Sequence, residues 1–364
     1  MSTAQWSITR LLEDFRREAE LAAQHVSVLK RVEAKTAAAA EAAPHVGVDN
    51  EALDAARELL DLLNKGHYVD AEQAASRLCS VMTRALYSKL YAVSVEADTC
   101  PSPQGVKLAV SLLEASGPLA PVTRNLVTGR GAGKVSEIER RVEEVARNWR
   151  QIASLLTGIY ASAVRLEKAT GKPRTVFITL AAEAVAEASF SDALEALENV
   201  ARHMSDAASA AYAASELLGE ISRALQECEG GEARIYCRWL GQAAAEVAAA
   251  REELEKLAED SSAEALRHRT AEARQHLRAA RELCDMVSRL AEALGRKRPA
   301  SLVEAVKLLS LTYSEHSLSE EEEEVLKRLV NDSIIDVASL DTEELIDAAL
   351  RLCKRRLVRC TLRL

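Results

Sequence analysis

The segment Gly129-Arg130-Gly131-Ala132-Gly133-Lys134 combines glycines, two cations and a helical pattern directly behind it. Free amides at a helix N-terminus attract phosphate, so this is the first place to look for an anion site. A nucleotide-binding loop, however, needs a glycine at 128, a serine or threonine at 135 and a strand in front. Thr128 and Val135 stand at those positions and no strand precedes them. The segment is therefore expected to be a flexible basic hinge.

Metal chemistry meets a similar obstacle. Glu264 with His268, and Glu272 with His276, are spaced four apart and share a helix face. Carboxylate bundles use Glu-x-x-His on facing helices, and no third ligand is identified here. Ordinary side-chain pairing on a solvated face is the expectation. No Gly-x-Ser-x-Gly elbow occurs, and no cysteine sits in a nucleophile context with His and Asn. No catalytic residue, metal or cofactor is assigned, and the chain is expected not to be an enzyme.

Basic clusters remain. Arg267, Arg274, Arg278 and Arg281 follow steps of 7, 4 and 3, which places four guanidinium groups on one helical face. Arg296, Lys297 and Arg298 extend the basic region past the helix end, and Arg351, Lys354, Arg355, Arg356, Arg359 and Arg363 crowd the C-terminus without an intervening acid. Such surfaces neutralise nucleic-acid phosphates. Two structural readings compete: cations complement a helix C-terminus, and arginines beside Glu246, Glu253 and Glu259 build ion-pair networks. The aromatics that stack bases are scarce. In an up-and-down bundle the loops at 129–134 and 295–298 would share one end, gathering Arg130, Lys134, Arg296, Lys297 and Arg298.

The elements that must position these residues are helices. Of the 364 residues 48% are hydrophobic but only 4% aromatic, with 14 glycines and 7 prolines. Alanine, leucine, glutamate and arginine favour helix, whereas sheets want β-branched and aromatic residues. The fold class is all-α: long antiparallel helices in a bundle or extended array, with smaller helical units at the two ends. No run reaches the length of a membrane span, and Met1 to Trp6 does not open a secretory signal. A cytoplasmic location is expected. Net charge is −9, which argues against a polyanion-binding character for the chain as a whole. The seven cysteines are scattered with no CxxC pair. They read as free thiols on helix faces, Cys100 being the most exposed, although scarce Asn, Gln and Met point to a thermophile, in which intracellular disulfides occur.

Apolar spacing predicts a helix from about Gln5 to Ala43, ending before Pro44, with a stripe through Leu11, Leu12, Phe15, Leu21, Ala22, Val26, Leu29 and Val32. Asp49 or Asn50 caps the next helix, Gly66 breaks it, and a third runs from Val69 to about Ala97. Asp98 to Gly105 is the clearest linker, followed by short helices at 106–115 and 119–127. Long runs cover 135–169, 174–229 (breaking near Ser189 to Ser191), 232–260 and 262–294. Val176 to Leu180 has strand composition but no partner, so helix is expected there. Helices follow near 301–313, 320–331 and 341–358, with Ser319 as a cap. The expected domains are 1–97, a linker region 98–134, a long-helix bundle 135–298 and a small unit 299–364 with a basic tail. Short look-alike segments near Ala75, Ala214 and Ala280 are unequally spaced and read as convergence, not repeats.

The function expected from this pattern is a non-enzymatic scaffold or adaptor that presents helix faces to other proteins or to a second copy. The alternative is a nucleic-acid-associated subunit contacting backbone phosphates through its basic loops and C-terminus.

Overall fold

The computed structural model describes residues 3–47, 49–129, 133–188, 192–228, 234–259, 262–295, 298–332 and 334–361, without the side chains of residues 3–12 and 263. The chain is all-α. Its helices are α1 (Thr3–Val46), α2 (Asn50–Asn64), α3 (Tyr68–Tyr91), α4 (Pro103–Ser116), α5 (Ala120–Thr128), α6 (Val135–Arg147), α7 (Trp149–Thr170), α8 (Arg174–Ala186), α9 (Ala193–Gln226), α10 (Ile235–Lys256), α11 (Ala263–Gly295), α12 (Leu302–His316), α13 (Glu320–Asp332) and α14 (Glu343–Lys354). Among the described residues the only β pairing is an isolated parallel bridge between Glu96 and Lys134. Residues 176–180 lie within α8, as their isolation from any partner strand predicts.

Two compact units form: Met1–Tyr160 with Ile178–Ala201, and Ala161–Phe177 with Arg202–Leu364. Residues 98–134 lie inside the first. In that unit α1 and α2 both pack on α3, and α4 joins α1, α5 and α6. The contact sets alanines, Ala38, Ala39 and Ala42 of α1 and Ala52 of α2, against Cys79, Val81, Met82 and Leu86 of α3. In the second unit α10 and α11 pack along one another, α12 and α13 contact α11, and α14 contacts α13.

Local chemistry explains most helix ends. The Asp49 carboxylate accepts from the Ala52 amide at 2.8 Å and starts α2. Gly66, at φ +74°, ends it, with the His67 amide donating to the Leu62 carbonyl at 3.0 Å. Ser102 caps α4 through Gly105, and Ser319 forms a reciprocal cap with Glu322 at the start of α13. The break expected near Ser189 to Ser191 lies outside the described residues.

Four boundaries differ from the sequence expectation. α1 continues through Pro44. The proline falls in the last turn, so the helix forgoes the hydrogen bond from the amide of residue 44 to the Ala40 carbonyl and ends within two residues. The run at 135–169 divides at Asn148, whose carbonyl accepts from both Gln151 and Ile152. α14 stops at Lys354, because Arg356 adopts φ 60° and the Leu357 amide turns back to the Leu352 carbonyl. α3 ends at Tyr91 rather than near 97, since Ala92 takes the left-handed conformation, φ 52° and ψ 39°. Beyond it, Glu96 exchanges backbone bonds with Gly133 and Val135, at 2.7 and 3.0 Å.

A side chain is strained in the left-handed region, and glycine is not. Ala92→Gly should therefore raise unfolding stability by about 0.5–1 kcal/mol, as measured by urea denaturation. A loss of stability would show that α3 does not end in this conformation.

Candidate interaction surfaces

The stretch 13–27 of α1 has almost no cover. Every residue from Glu13 to Ser27 is exposed, including Phe15 at 75% and Val26 at 53%. Contact with the body begins at His25, whose ring meets Tyr68 edge-on at 5.3 Å. Arg31 then grips Glu72 through two bonds of 2.8 and 3.0 Å, Lys35 adds a third at 3.0 Å, and Val32 is buried. Arg31 first, then Lys35, lower the Glu72 carboxyl to a pKa of about 2. The grip therefore persists over the whole neutral range.

Arg267, Arg274, Arg278 and Arg281 do share a face of α11, within an arc of about 60° at 100° per residue. They are not equivalent. Arg274 is bonded to Asp206 of α9 at 2.5 Å. Arg267, Arg278 and Arg281 are exposed, and among the described residues no carboxylate pairs with them. Burial lowers the His203 pKa, with Arg202, Arg267 and Arg274 adding to the shift. Asp206 acts in the opposite direction.

The other predicted cations fare differently. Arg130, Arg296, Lys297 and Arg363 lie outside the described residues. Lys134 is exposed in the first unit and Arg298 in the second. Lys354 and Arg359 are exposed, as is Arg356. Arg355, with Arg351, instead holds the buried Glu322 carboxylate, at 3.1 and 3.2 Å, and donates to the His316 carbonyl. These two cations lock α14 to α13. Sequence reasoning missed Glu322 because it stands 33 residues away from Arg355.

The histidine pairs also choose other partners. His276 contacts Glu246 of α10 at 2.7 Å, and His268 contacts Glu272 at 3.2 Å. Beside them Glu253 binds Lys256 and Arg269, at 2.8 and 2.7 Å, and these bonds, Lys256 first, hold its carboxyl at a pKa of about 2. This is an ion-pair network across α10 and α11. Among the described residues no three metal-binding side chains converge.

The free-thiol expectation fails for six cysteines. Disulfides join Cys79 to Cys100, Cys228 to Cys237 and Cys353 to Cys360, with Cα separations of 5.8, 6.0 and 5.9 Å. Cys100, expected as the exposed thiol, is one of them. The bonds close chain separations of 21, 9 and 7 residues, each across the end of a helix. Only Cys284 is free, and burial pushes its thiol up to about 11. A neutral buried thiol is unreactive.

Two polar places remain. An open groove of about 570 Å³ is lined by Glu51, Arg77, Ser80, Arg84, Glu96 and Gly133, among others. Arg77 and Arg84 are answered by Glu58 and Glu51, at 3.3 and 3.5 Å, so the lining charges cancel. Glu323 of α13 is buried beside Tyr313 and lies 3.7 Å from Arg238, and burial raises its pKa. Arg234 covers the Tyr313 ring at 5.0 Å. No protein-family model matches the chain, and no curated protein or solved structure is significantly similar to it.

Two outcomes follow. The double variant Cys79→Ser and Cys100→Ser releases a loop of 21 residues. It should lose about 3 kcal/mol in chemical denaturation, and an unchanged midpoint would show that the bond does not form. A carboxyl whose folded pKa is raised contributes stability at low pH that is lost as pH rises through that pKa. Glu323→Gln should therefore melt at or above the wild-type temperature at pH 7, and the two curves should converge as the pH falls below the normal carboxylate range. A lower melting point at pH 7 would instead mean that the charge on Glu323 is needed by Arg238.

Proposed function

We propose that this chain is a non-enzymatic helical scaffold or adaptor, working through helix faces that other proteins cover. One observation carries the reading: α1 leaves the body as a helix whose apolar side chains, Phe15, Val26 and Leu29, face water. Short isolated helices are marginal in water, and an apolar stripe is normally covered by another helix. The chain's architecture, on this proposal, is an antiparallel bundle with smaller helical units at its ends. The closely packed α10 and α11 support it.

Among the described residues no helix is long and apolar enough to cross a membrane. We place the protein in the cytoplasm of a thermophile. The charged, Asn- and Gln-poor composition supports that placement, and the disulfides are compatible with it, since such organisms keep them inside the cell.

A second reading rests on a separate observation, the aligned and carboxylate-free Arg267, Arg278 and Arg281. On it the chain contacts nucleic-acid backbone phosphates without reading sequence.

A single experiment separates the two. The tagged chain and its Phe15→Glu, Val26→Glu variant are compared for stoichiometric protein partners, with and without nuclease. Partners retained after nuclease and lost in the variant support the scaffold, and partners retained by both refute the role of α1. In parallel, fluorescence anisotropy with duplex DNA tests the second reading. Replacing the three arginines by glutamine should flatten the salt dependence of log K by about 2–3. No binding even at low salt removes that reading.

A further inference from the structure

The apolar stripe of the exposed arm is regular. Phe15, Ala19, Ala22, Val26 and Leu29 are spaced 4, 3, 4 and 3 residues apart, the spacing of a coiled-coil seam. This seam is not the face that docks α1 on its own body. At 100° per residue, Val32 and Ala39, which are buried, lie about 100–120° around the helix from it. Farther along the seam face Glu33 and Ala40 are still exposed. Thr36 and Ala37 on the same face are half-buried, but over residues 13–27 nothing in the described chain covers that side of α1.

The order of side-chain sizes says what fits. Phe15, Ala19, Ala22 and Val26 read large, small, small, large, and the order is nearly the same from either end. An antiparallel two-fold contact sets each residue against its mirror position, so this order brings the two small side chains together at the centre and the large ones together at both ends. In the antiparallel arrangement Phe15 lies opposite the second copy's Val26, and Ala19 opposite its Ala22. The two alanines sit at the crossing point and let the backbones approach. Away from it the helices diverge, and the widening gap is filled by Phe15 and Val26 and then by Leu29.

Charge on the flanks makes the same choice. Glu18 and His25 both precede seam residues and lie on one side of the stripe, while Arg16, Ala23 and Lys30 follow seam residues and lie on the other. Antiparallel helices bring like flanks together. Glu18 then meets the second copy's His25 twice, an imidazole N–H donating to a carboxylate, and Arg16 meets Ala23. Parallel helices would set His25 against Lys30 and leave Glu18 opposite Ala23. The Tyr68 contact holds the His25 ring while leaving that residue exposed.

We infer that α1 is a self-pairing arm: two copies of the chain associate through an antiparallel, two-fold crossing of their α1 helices centred between Ala19 and Ala22. This rests on the scaffold reading and names the occupant of its exposed seam.

Sedimentation equilibrium of the full chain, from about 1 to 100 μM, tests it. The expected result is a monomer–dimer equilibrium that Val26→Glu converts to monomer with unchanged far-ultraviolet circular dichroism. His25→Glu should weaken the dimer about tenfold, since it sets carboxylate against carboxylate twice, Glu18→Lys should weaken it by removing both hydrogen bonds, and the double variant should recover most of the loss. A strengthened dimer in His25→Glu overturns the antiparallel arrangement, because the carboxylate introduced by that substitution would meet Lys30 only in the parallel one. A chain that is monomeric throughout overturns self-pairing. If it still loses protein partners on Val26→Glu, the scaffold reading stands without it. A dimer that follows the charge swap but retains no other protein supports the arm and counts against the scaffold.

Discussion

The whole fold depends on close contact between helices lined with alanine. Ala38, Ala39 and Ala42 of α1, Ala52 and Ala55 of α2, and Ala71, Ala74 and Ala75 of α3 are all buried. An alanine hides little more than one methyl group, so each contributes far less than the roughly 1.5–3 kcal/mol of a buried leucine or phenylalanine. Stability must then come from many such contacts along long helices whose backbones approach closely, where dispersion between well-packed atoms adds up. Length is therefore a requirement of this composition. It also has a consequence: a helix that outruns its neighbour carries its apolar face into water.

Charge is used in two distinct ways. Some cations are built into the fold. Arg141 is buried and donates to the carbonyls of Val127 and Thr128, at 3.2 and 2.6 Å, while also binding Glu137 at 2.8 Å. It closes the end of α5, where free carbonyls favour a positive charge. Arg351 and Arg355 do the equivalent for Glu322. Removing one partner from such a site leaves an uncompensated buried charge. Arg267, Arg278 and Arg281 belong to the other class, exposed to water and without a structural task among the described residues.

How much of this could be read from the residues follows the range of each interaction. Local signals were legible: Asp49 and Ser319 as caps, Gly66 as a break, the helices inside 98–134, and helix at 176–180 despite its β-branched content. Each is decided within a few residues. The end of α3 was not, because nothing about Ala92 marks it for a left-handed conformation, and the backbone bonds of Glu96 to Gly133 and Val135 that follow the turn join residues nearly forty positions apart. The disulfides were equally hidden, since pairing requires Cα atoms about 6 Å apart and spacing in sequence does not supply that distance. The basic C-terminus looked like one surface, yet the fold divides it, because the carboxylate that captures Arg355 comes from another helix. The arginine face of α11 was legible because helical periodicity alone produces it.

Exposed arginines and exposed apolar side chains do not carry equal weight as signs of a partner. A guanidinium is well solvated in water and gains only modestly from a surface ion pair, about 0–1 kcal/mol. A row of them needs no partner to be stable, and ion-pair networks such as that around Glu253 show the same chain using arginine for itself. Phe15, Val26 and Leu29 differ in sign. Each forgoes the stabilisation that burial would supply, on a segment whose helical form has little tertiary support of its own. Scattered exposed leucines are ordinary on any surface, and Leu60, Leu311 and Leu350 are of that kind. A regular apolar seam on an uncovered helix is not. On the proposed scaffold reading, contact with another chain is therefore assigned to α1 before α11.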